Sequence, residues 1–146
     1  MYRHILIPTD GSELAERAVT HGLSLAKFSR AKVTVIMVEE RPVRWLTFAE
    51  TGAAEIFARY AQQVKEHAAS ELNRVANSAK QAGVPCDTVL VQNEQPYEAI
   101  IAAVTDRGCD LIVMASHGSS GLSAVVLGSV TNKVLTHAKT HVLVCQ

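Results

Sequence analysis

The sequence lacks any hydrophobic run long enough to cross a bilayer. Its unbroken aliphatic runs are only a few residues long, whereas a membrane-spanning helix needs about 20 apolar residues. The first residues, MYRHILIPTDGS, reach Pro8 and Asp10 too early to form the apolar region of a signal peptide. We therefore expect a cytoplasmic protein with no membrane partner.

The chain also lacks net charge and is poor in aromatic residues. Fourteen Lys and Arg balance fourteen Asp and Glu, so no overall field attracts nucleic acid, and we expect no nucleic-acid partner. Aromatic residues make up 5% of the chain and hydrophobic residues 48%, which predicts a core of mainly Val, Ile, Leu and Ala. The length of 146 residues favours one domain over residues 1–146.

Paired metal-binding or disulfide-forming residues are missing too. Cys86, Cys109 and Cys145 are widely spaced and form no C-x-x-C pair, which predicts buried free thiols. His137 and His141 are four residues apart, but the segment between them has the pattern of a helix end and a strand start. That break disfavours a zinc pair, and we expect no metal site.

What the sequence does contain is an alternation of strand and helix patterns. Five runs rich in Val and Ile are typical of parallel strands covered on both faces: residues 4–9, 32–38, 87–92, 110–115 and 141–145. Apolar residues at helical spacing occupy residues 12–29, 53–82, 96–107 and 129–138. The apolar stripes of the second and fourth helices include Ile56, Tyr60 and Leu135. Residues 40–52 lack periodicity and predict a surface loop or short irregular helix, in which Trp45 and Phe48 either flank a pocket or hold the loop to the body.

This alternation predicts an α/β fold: an open five-stranded parallel sheet in the order 3-2-1-4-5, with helices on both faces, Rossmann-like. In such sheets ligands bind beyond the carboxyl ends of the strands, where the strand order reverses. The loops after the first and fourth strands would meet there.

The loop after the fourth strand, ASHGSSGLSAVVLGSV, is rich in small residues. Gly118 and Gly121 are suited to positive φ and leave backbone amides open to a ligand. Gly128 and Ser129 open a helix whose free N–H groups and dipole suit a phosphate, and Ser129 adds a hydroxyl donor. The alternative is that the two glycines only shape a turn and that Ser129 only caps its helix.

Asp10, at the mouth of the first strand, is an acceptor suited to ribose hydroxyls. Alternatively, Asp10 followed by Glu13 forms a capping box with no ligand. Because all these residues converge on one predicted crevice, together they favour an anion site.

The common nucleotide and hydrolase motifs are absent. Val130 follows Ser129, so no G-x-x-x-x-G-K-[ST] motif is present, and no G-x-G-x-x-G follows the first strand. Leu122 stands two residues after Ser120, which breaks the nucleophile elbow G-x-S-x-G.

The chain resembles the universal stress protein family over nearly its full length, on ILIPTDGS, IVMASHGSSGLSAVVLGSV and HVLVC. ATP-binding members of that family carry Gly, two residues, Gly, nine residues, and Gly followed by Ser or Thr. Here Gly118 is the second glycine and Gly128-Ser129 the closing pair, whereas Ala115 replaces the first glycine. A methyl group fits there if φ stays negative, but it narrows the approach to the nucleotide.

The resemblance implies a regulatory stress-response protein that binds ATP, or ADP or AMP, with or without Mg²⁺. It implies that Pro8, Thr9 and Asp10 lie near the adenosine and that Val38 touches the adenine. Met114 and Ala115 would line the base and ribose. Gly118, Gly128, Ser129 and Val130 would hold the phosphates. The last strand, HVLVC, carries no Lys, Pro or acidic residue to protect its edge. We therefore expect a homodimer formed through this strand, an arrangement that resembles the dimers of the family.

Two other functions remain open from the sequence. A slow ATPase would draw on Asp10, His117 and Lys133 near the loop, but no arginine lies within the loop to stabilise the transferring phosphate. A ligand-free dimeric scaffold has Ala115 as its best argument. We predict a binding protein with no catalytic residue.

Overall fold

The structure is a computed structural model and describes residues 1–40, 52–119 and 126–146. Trp45, Phe48 and Gly121 lie outside these ranges. The strands are β1 (His4–Pro8), β2 (Lys32–Glu39), β3 (Cys86–Gln92), β4 (Leu111–Ala115) and β5 (His141–Cys145). The helices are α1 (Glu13–Ser29), α2 (Ala54–Ala82), α3 (Pro96–Arg107) and α4 (Ser129–His137). Each predicted boundary of these elements is within one residue of the observed one.

The five strands form one parallel sheet in the order β3-β2-β1-β4-β5, which confirms the predicted topology. In the central strand β1, Ile5 lies opposite Val33 of β2 on one side and Leu111 of β4 on the other. The strand order reverses between β1 and β4. The carboxyl ends of β1, β2 and β4 therefore surround a crevice.

Alternating residues of the strands build two separate cores. Ile5, Val35 and Val113 pack against α1 and α2 on one face of the sheet. Leu6, Ile112 and Met114 pack against α3 and α4 on the other. The central strands are covered on both faces because both of their side-chain rows are apolar.

The start of α1 corrects one interpretation of the sequence. Ser12 is the N-cap, and its hydroxyl accepts a hydrogen bond from the Ala15 N–H at 3.3 Å. Asp10 lies before the helix and accepts the N–H of Ser12. Asp10 and Glu13 therefore do not form a capping box, since a serine closer to the helix supplies the cap.

The apolar stripes of α2 and α4 are less buried than predicted. Ile56 is 70% exposed, Tyr60 54% and Leu135 41%, and burial of α2 begins only at Ala68. With 29 residues, α2 is about 44 Å long, whereas β2 with eight residues spans about 26 Å. The first half of α2 therefore extends past the sheet that would cover it.

The cysteines are free thiols, as predicted, although only Cys109 is buried and Cys86 and Cys145 are half-buried. Burial raises the pKa of Cys109 to about 11. Across the described ranges, no helix has both the length and the apolar character to cross a bilayer. Nor do three His, Cys, Asp or Glu side chains gather into a candidate metal site there.

Candidate functional site

A cleft of about 340 Å³ lies at the carboxyl ends of β1, β2 and β4, beside the first turns of α3 and α4. All ten residues singled out in the sequence line it: Pro8, Thr9, Asp10, Val38, Met114, Ala115, Gly118, Gly128, Ser129 and Val130. The reversal of strand order brings these residues together from four separate segments of the chain.

The loop after β1 turns sharply toward α1. The Thr9 N–H donates to the Ile36 carbonyl of β2 at 2.9 Å, and the Thr9 hydroxyl accepts the Gly11 N–H at 3.2 Å. Gly11 has φ of +77°, a left-handed conformation that favours glycine. This turn leaves the side chain of Asp10 at the cleft.

The carboxylate of Asp10 joins the two loops of the site. Its Oδ1 accepts the Ser12 N–H at 3.0 Å, and its Oδ2 accepts the Ser119 N–H at 2.9 Å. Desolvation by the surrounding loops favours the neutral acid, but the hydrogen bonds from Ser12 and Ser119 outweigh it and hold the pKa of Asp10 below its ordinary value. Asp10 is therefore an anion, and each oxygen keeps a lone pair for a further donor.

Gly118 is required by close approach and not by its backbone angle. Its φ is not in the left-handed region, so this position does not use the access to positive φ that glycine offers. A Cβ at this position would overlap Oδ2 of Asp10. Glycine thus allows the loop after β4 to lie directly on the carboxylate.

The first turn of α4 is fixed to the end of β4. The Gly128 N–H donates to the Ser116 carbonyl at 2.7 Å, and the buried Thr131 hydroxyl donates to the Ala115 carbonyl at 2.8 Å. A Cβ on Gly128 would lie 3.0 Å from Cα of His117. Gly128 therefore lets the helix begin in contact with the preceding loop.

This end of α4 opens into the cleft without a side-chain cap. Gly128 is the N-cap residue, and no side chain of the described residues caps the helix. Ser129 is the first helical residue, so its exposed hydroxyl does not serve as the cap. The first N–H groups of a helix have no partner within it and carry the positive end of its dipole.

Another part of the cleft lining is apolar. Val38 and Met114 lie there with Ile36, Pro96 and Ile100. The last three were not predicted from the sequence. A signal for Pro96 was present, because a helix that follows a parallel strand begins at the carboxyl edge of the sheet. The cleft therefore combines an apolar wall with a group of hydrogen-bond donors.

Ala115, which departs from the glycine pattern, is accommodated by the fold. Its φ is outside the left-handed region, and its methyl group packs in a small buried cluster with Ala15 and Ala18 of α1. Short alanine side chains on the helix leave room for the extra carbon atom at the end of β4.

Of the three residues considered for hydrolysis, His117 and Asp10 line the cleft and Lys133 does not. His117 lines the cleft, with its Nδ1 3.1 Å from the Ser116 hydroxyl. Asp10 lines it as well, but its carboxylate already accepts two backbone N–H groups. Lys133 is outside the lining set, and its Nζ lies 3.4 Å from Oε1 of Gln95.

Comparison with known proteins shows extensive similarity. The model of the Universal stress protein family matches residues 1–146. The universal stress protein MJ0531 of Methanocaldococcus jannaschii is 32% identical over 145 residues, which are 99% of this chain and 82% of that protein.

Solved structures share the fold. The structure of MJ0577 from Methanocaldococcus jannaschii is 30% identical with a TM-score of 0.83, over 99% of this chain and 96% of that one. A universal stress protein in complex with cAMP is 25% identical with a TM-score of 0.68, over 99% of this chain and 97% of that one. These similarities extend over the sheet and its helices from end to end.

Proposed function

The chain belongs to the universal stress protein family, and on that basis we propose that it is a regulatory protein that binds an adenine nucleotide in the cleft. The proposed ligand is ATP, ADP or AMP, with or without Mg²⁺. The protein would act as one domain in the cytoplasm during the response to stress. The observation that carries it is the first turn of α4, which opens into the cleft without a side-chain cap.

The phosphates would bind at this first turn of α4. The backbone N–H groups of Ser129 and Val130 and the hydroxyl of Ser129 supply donors, and the helix dipole favours negative charge at this end. Gly128 carries no side chain between the backbone and a ligand, and Gly118 keeps the neighbouring loop close to Asp10. This arrangement supports the placement of a phosphate beside Ser129.

The ribose would lie beside Asp10. The free lone pairs of its carboxylate accept hydrogen bonds from ribose hydroxyls, while Pro8 and Thr9 flank the sugar. A negative carboxylate also repels phosphate, which supports placing the phosphate chain away from Asp10 and toward α4.

The adenine would occupy the apolar part of the cleft, against Val38 and Met114, with Ala115 at the ribose. Flat aromatic bases gain from burial against aliphatic side chains, and Ile36 and Ile100 extend this wall. The relative in complex with cAMP supports an adenine nucleotide as the ligand class.

Two measurements test the proposal. Mass spectrometry of small molecules released from the natively purified protein should detect an adenine nucleotide. Calorimetric titration should then show that Gly128→Val loses far more than tenfold in affinity, because the added side chain meets His117 and closes the approach to α4.

A smaller variant separates ligand contact from disruption of the loop. Ser129→Ala removes one exposed hydroxyl and should lose about twofold to tenfold in affinity. Ser70→Ala, at an exposed position of α2, is the matched control and should bind like the parent. If Ser129→Ala and Gly128→Val both bind like the parent, the phosphates do not lie at α4.

Slow ATP hydrolysis is the second candidate, because His117 lines the cleft. Hydrolysis requires a positioned water, a base and cations on the transferring phosphate. We expect turnover barely above background with or without Mg²⁺. Turnover near one per second, which is within the ordinary range of enzymes, would contradict a binding role, and His117→Ala would then be the first variant to make.

We also propose a homodimer formed through β5. Among the residues that the structure describes, this strand pairs with β4 on one side only. The Cys145 carbonyl accepts the Ser116 N–H from the β4 side, so the backbone groups of the alternate residues Val142 and Val144 point outward. Such an open edge is a template for a second copy.

Val142→Pro removes one outward donor and should yield a monomer in light scattering, whereas Val142→Thr keeps the donor and should remain a dimer. A dimer that persists in Val142→Pro would exclude this interface.

A further inference from the structure

Lys133 lies on α4 one turn after Ser129, and its ammonium group contacts the two residues that flank Pro96 at the start of α3. Helical side chains lean toward the N-terminus, so the side chain of Lys133 covers the turn that begins at Ser129. Its Nζ lies 3.4 Å from Oε1 of Gln95 and 5.4 Å from the centroid of the Tyr97 ring. Pro96, between these two partners, lines the cleft. The ammonium is therefore held at the start of α3, where Pro96 belongs to the cleft lining.

The charge of Lys133 is oriented but not neutralised. In the part of the chain that the structure describes, ion pairs involve Arg17 and Arg74, and none involves Lys133. The partners of Lys133 are an amide oxygen and an aromatic ring, which position an ammonium group without cancelling its charge. Lys133 is also exposed, so an anion can approach it.

Resting on the proposed function, we infer that Lys133 determines specificity for the length of the phosphate chain. The phosphate nearest the ribose occupies the N–H groups of Ser129 and Val130. Further phosphates follow the first turn of α4 toward Lys133, whose ammonium makes a charge-assisted hydrogen bond to the terminal phosphate. The site therefore prefers a nucleoside di- or triphosphate to a monophosphate.

Calorimetric titration of ATP, ADP and AMP tests this inference. The wild-type protein should bind ATP about tenfold more tightly than AMP. Lys133→Gln should weaken ATP binding about tenfold and AMP binding less than twofold, because only ATP reaches the ammonium. Lys133→Arg, which keeps the charge, should restore most of the ATP affinity.

Lys139→Gln is the matched control, because it removes the same charge from an exposed position beyond the other end of α4. It should leave all three affinities unchanged. The inference would be overturned if Lys133→Gln weakened ATP and AMP binding equally or weakened neither. It would also be overturned if Lys139→Gln weakened ATP binding as much as Lys133→Gln does. Each of these results would leave the proposed function standing. A wild-type protein that binds none of the three nucleotides would overturn the proposed function itself.

Discussion

Polar groups at one end of the parallel sheet are hydrogen-bonded within the protein, whereas at the other end a helix terminus lies open to the cleft. At the amino end, His4 is 5% exposed, its Nδ1 lies 3.0 Å from the Arg107 carbonyl, and its Nε2 lies 2.8 Å from the buried Thr34 hydroxyl. Asp110 accepts the N–H groups of Arg3 and His4. At the carboxyl end, the first turn of α4 faces the cleft without a side-chain cap.

The difference lies in the residues that precede and follow the strands, since the central strands β1 and β4 are buried along almost their whole length. Within the described ranges, every buried side-chain nitrogen and oxygen has a hydrogen-bond partner. Polar groups satisfied internally stabilise the fold, whereas donors left at a concave surface are satisfied by solvent or by a ligand. We therefore expect changes at the amino end to alter stability and changes at the carboxyl end to alter binding.

The largest expected effect comes from His4→Ala. It removes a buried ring and leaves the Thr34 hydroxyl without its partner, so unfolding in urea should show a loss of about 2–4 kcal/mol. Nucleotide affinity of the folded variant should stay within twofold of the parent. If His4→Ala lost nucleotide binding without losing stability, the amino end of the sheet would serve binding, contrary to our expectation.

An intermediate effect is expected from two matched carboxylates. Asp10→Asn removes the charge that accepts Ser119 N–H and should cost about 1–3 kcal/mol of nucleotide binding. Asp110→Asn makes the same change at the opposite end and should leave binding unchanged while it lowers stability. Calorimetry measures the nucleotide affinity of both variants, and urea unfolding measures their stability. Equal loss of nucleotide binding in both variants would contradict the contrast between the two ends.

The smallest expected effect is the pH dependence contributed by His4. Burial lowers the pKa of His4 most, Lys32 and Arg107 lower it further, and the Arg107 carbonyl and Asp110 oppose them. The folded state therefore takes up a proton at lower pH than the unfolded state, whose pKa is near 6.5. Stability falls as the pH drops through this value.

Thermal melts between pH 7.5 and 5.5 measure this contribution. The parent should lose more stability over the range than His4→Gln, which has no imidazole to protonate. At lower pH, hydrogen bonds hold the pKa values of Asp10 and Asp110 below their ordinary 3.8 despite desolvation. Their stabilisation is present above that value and is lost as the pH falls through their lowered pKa values. Parallel curves for the parent and His4→Gln would show that His4 titrates alike in both states.

The fold was predictable because runs of Val and Ile and helical spacing are local signals. The strand boundaries and the parallel order follow from them. The meeting of the loops after β1 and β4 also followed, because strand order alone brings their ends together. The predicted site residues accordingly line one cleft, from Pro8 to Val130.

What could not be predicted depends on contacts between distant parts of the chain. The partners of His4 are Thr34 and Arg107, which are 30 and 103 residues away, and nothing in the local pattern pairs them. Gly118 was considered for its access to positive φ, but the carboxylate of Asp10, far away in sequence, is what requires a glycine there. Ile56 fits a helical stripe and yet is exposed, because periodicity does not report how far the sheet extends.

The backbone of Ser116 belongs to both the edge of the sheet and the cleft. Its N–H donates to Cys145 at the end of β5, and its carbonyl accepts from Gly128 at the start of α4. A ligand on α4 and a partner on β5 would therefore both act on elements that are hydrogen-bonded to the backbone of this one residue. Thermodynamic linkage makes any coupling between them reciprocal. If the ligand changes the affinity of dimerisation at β5 by some factor, dimerisation changes the affinity for the ligand by the same factor.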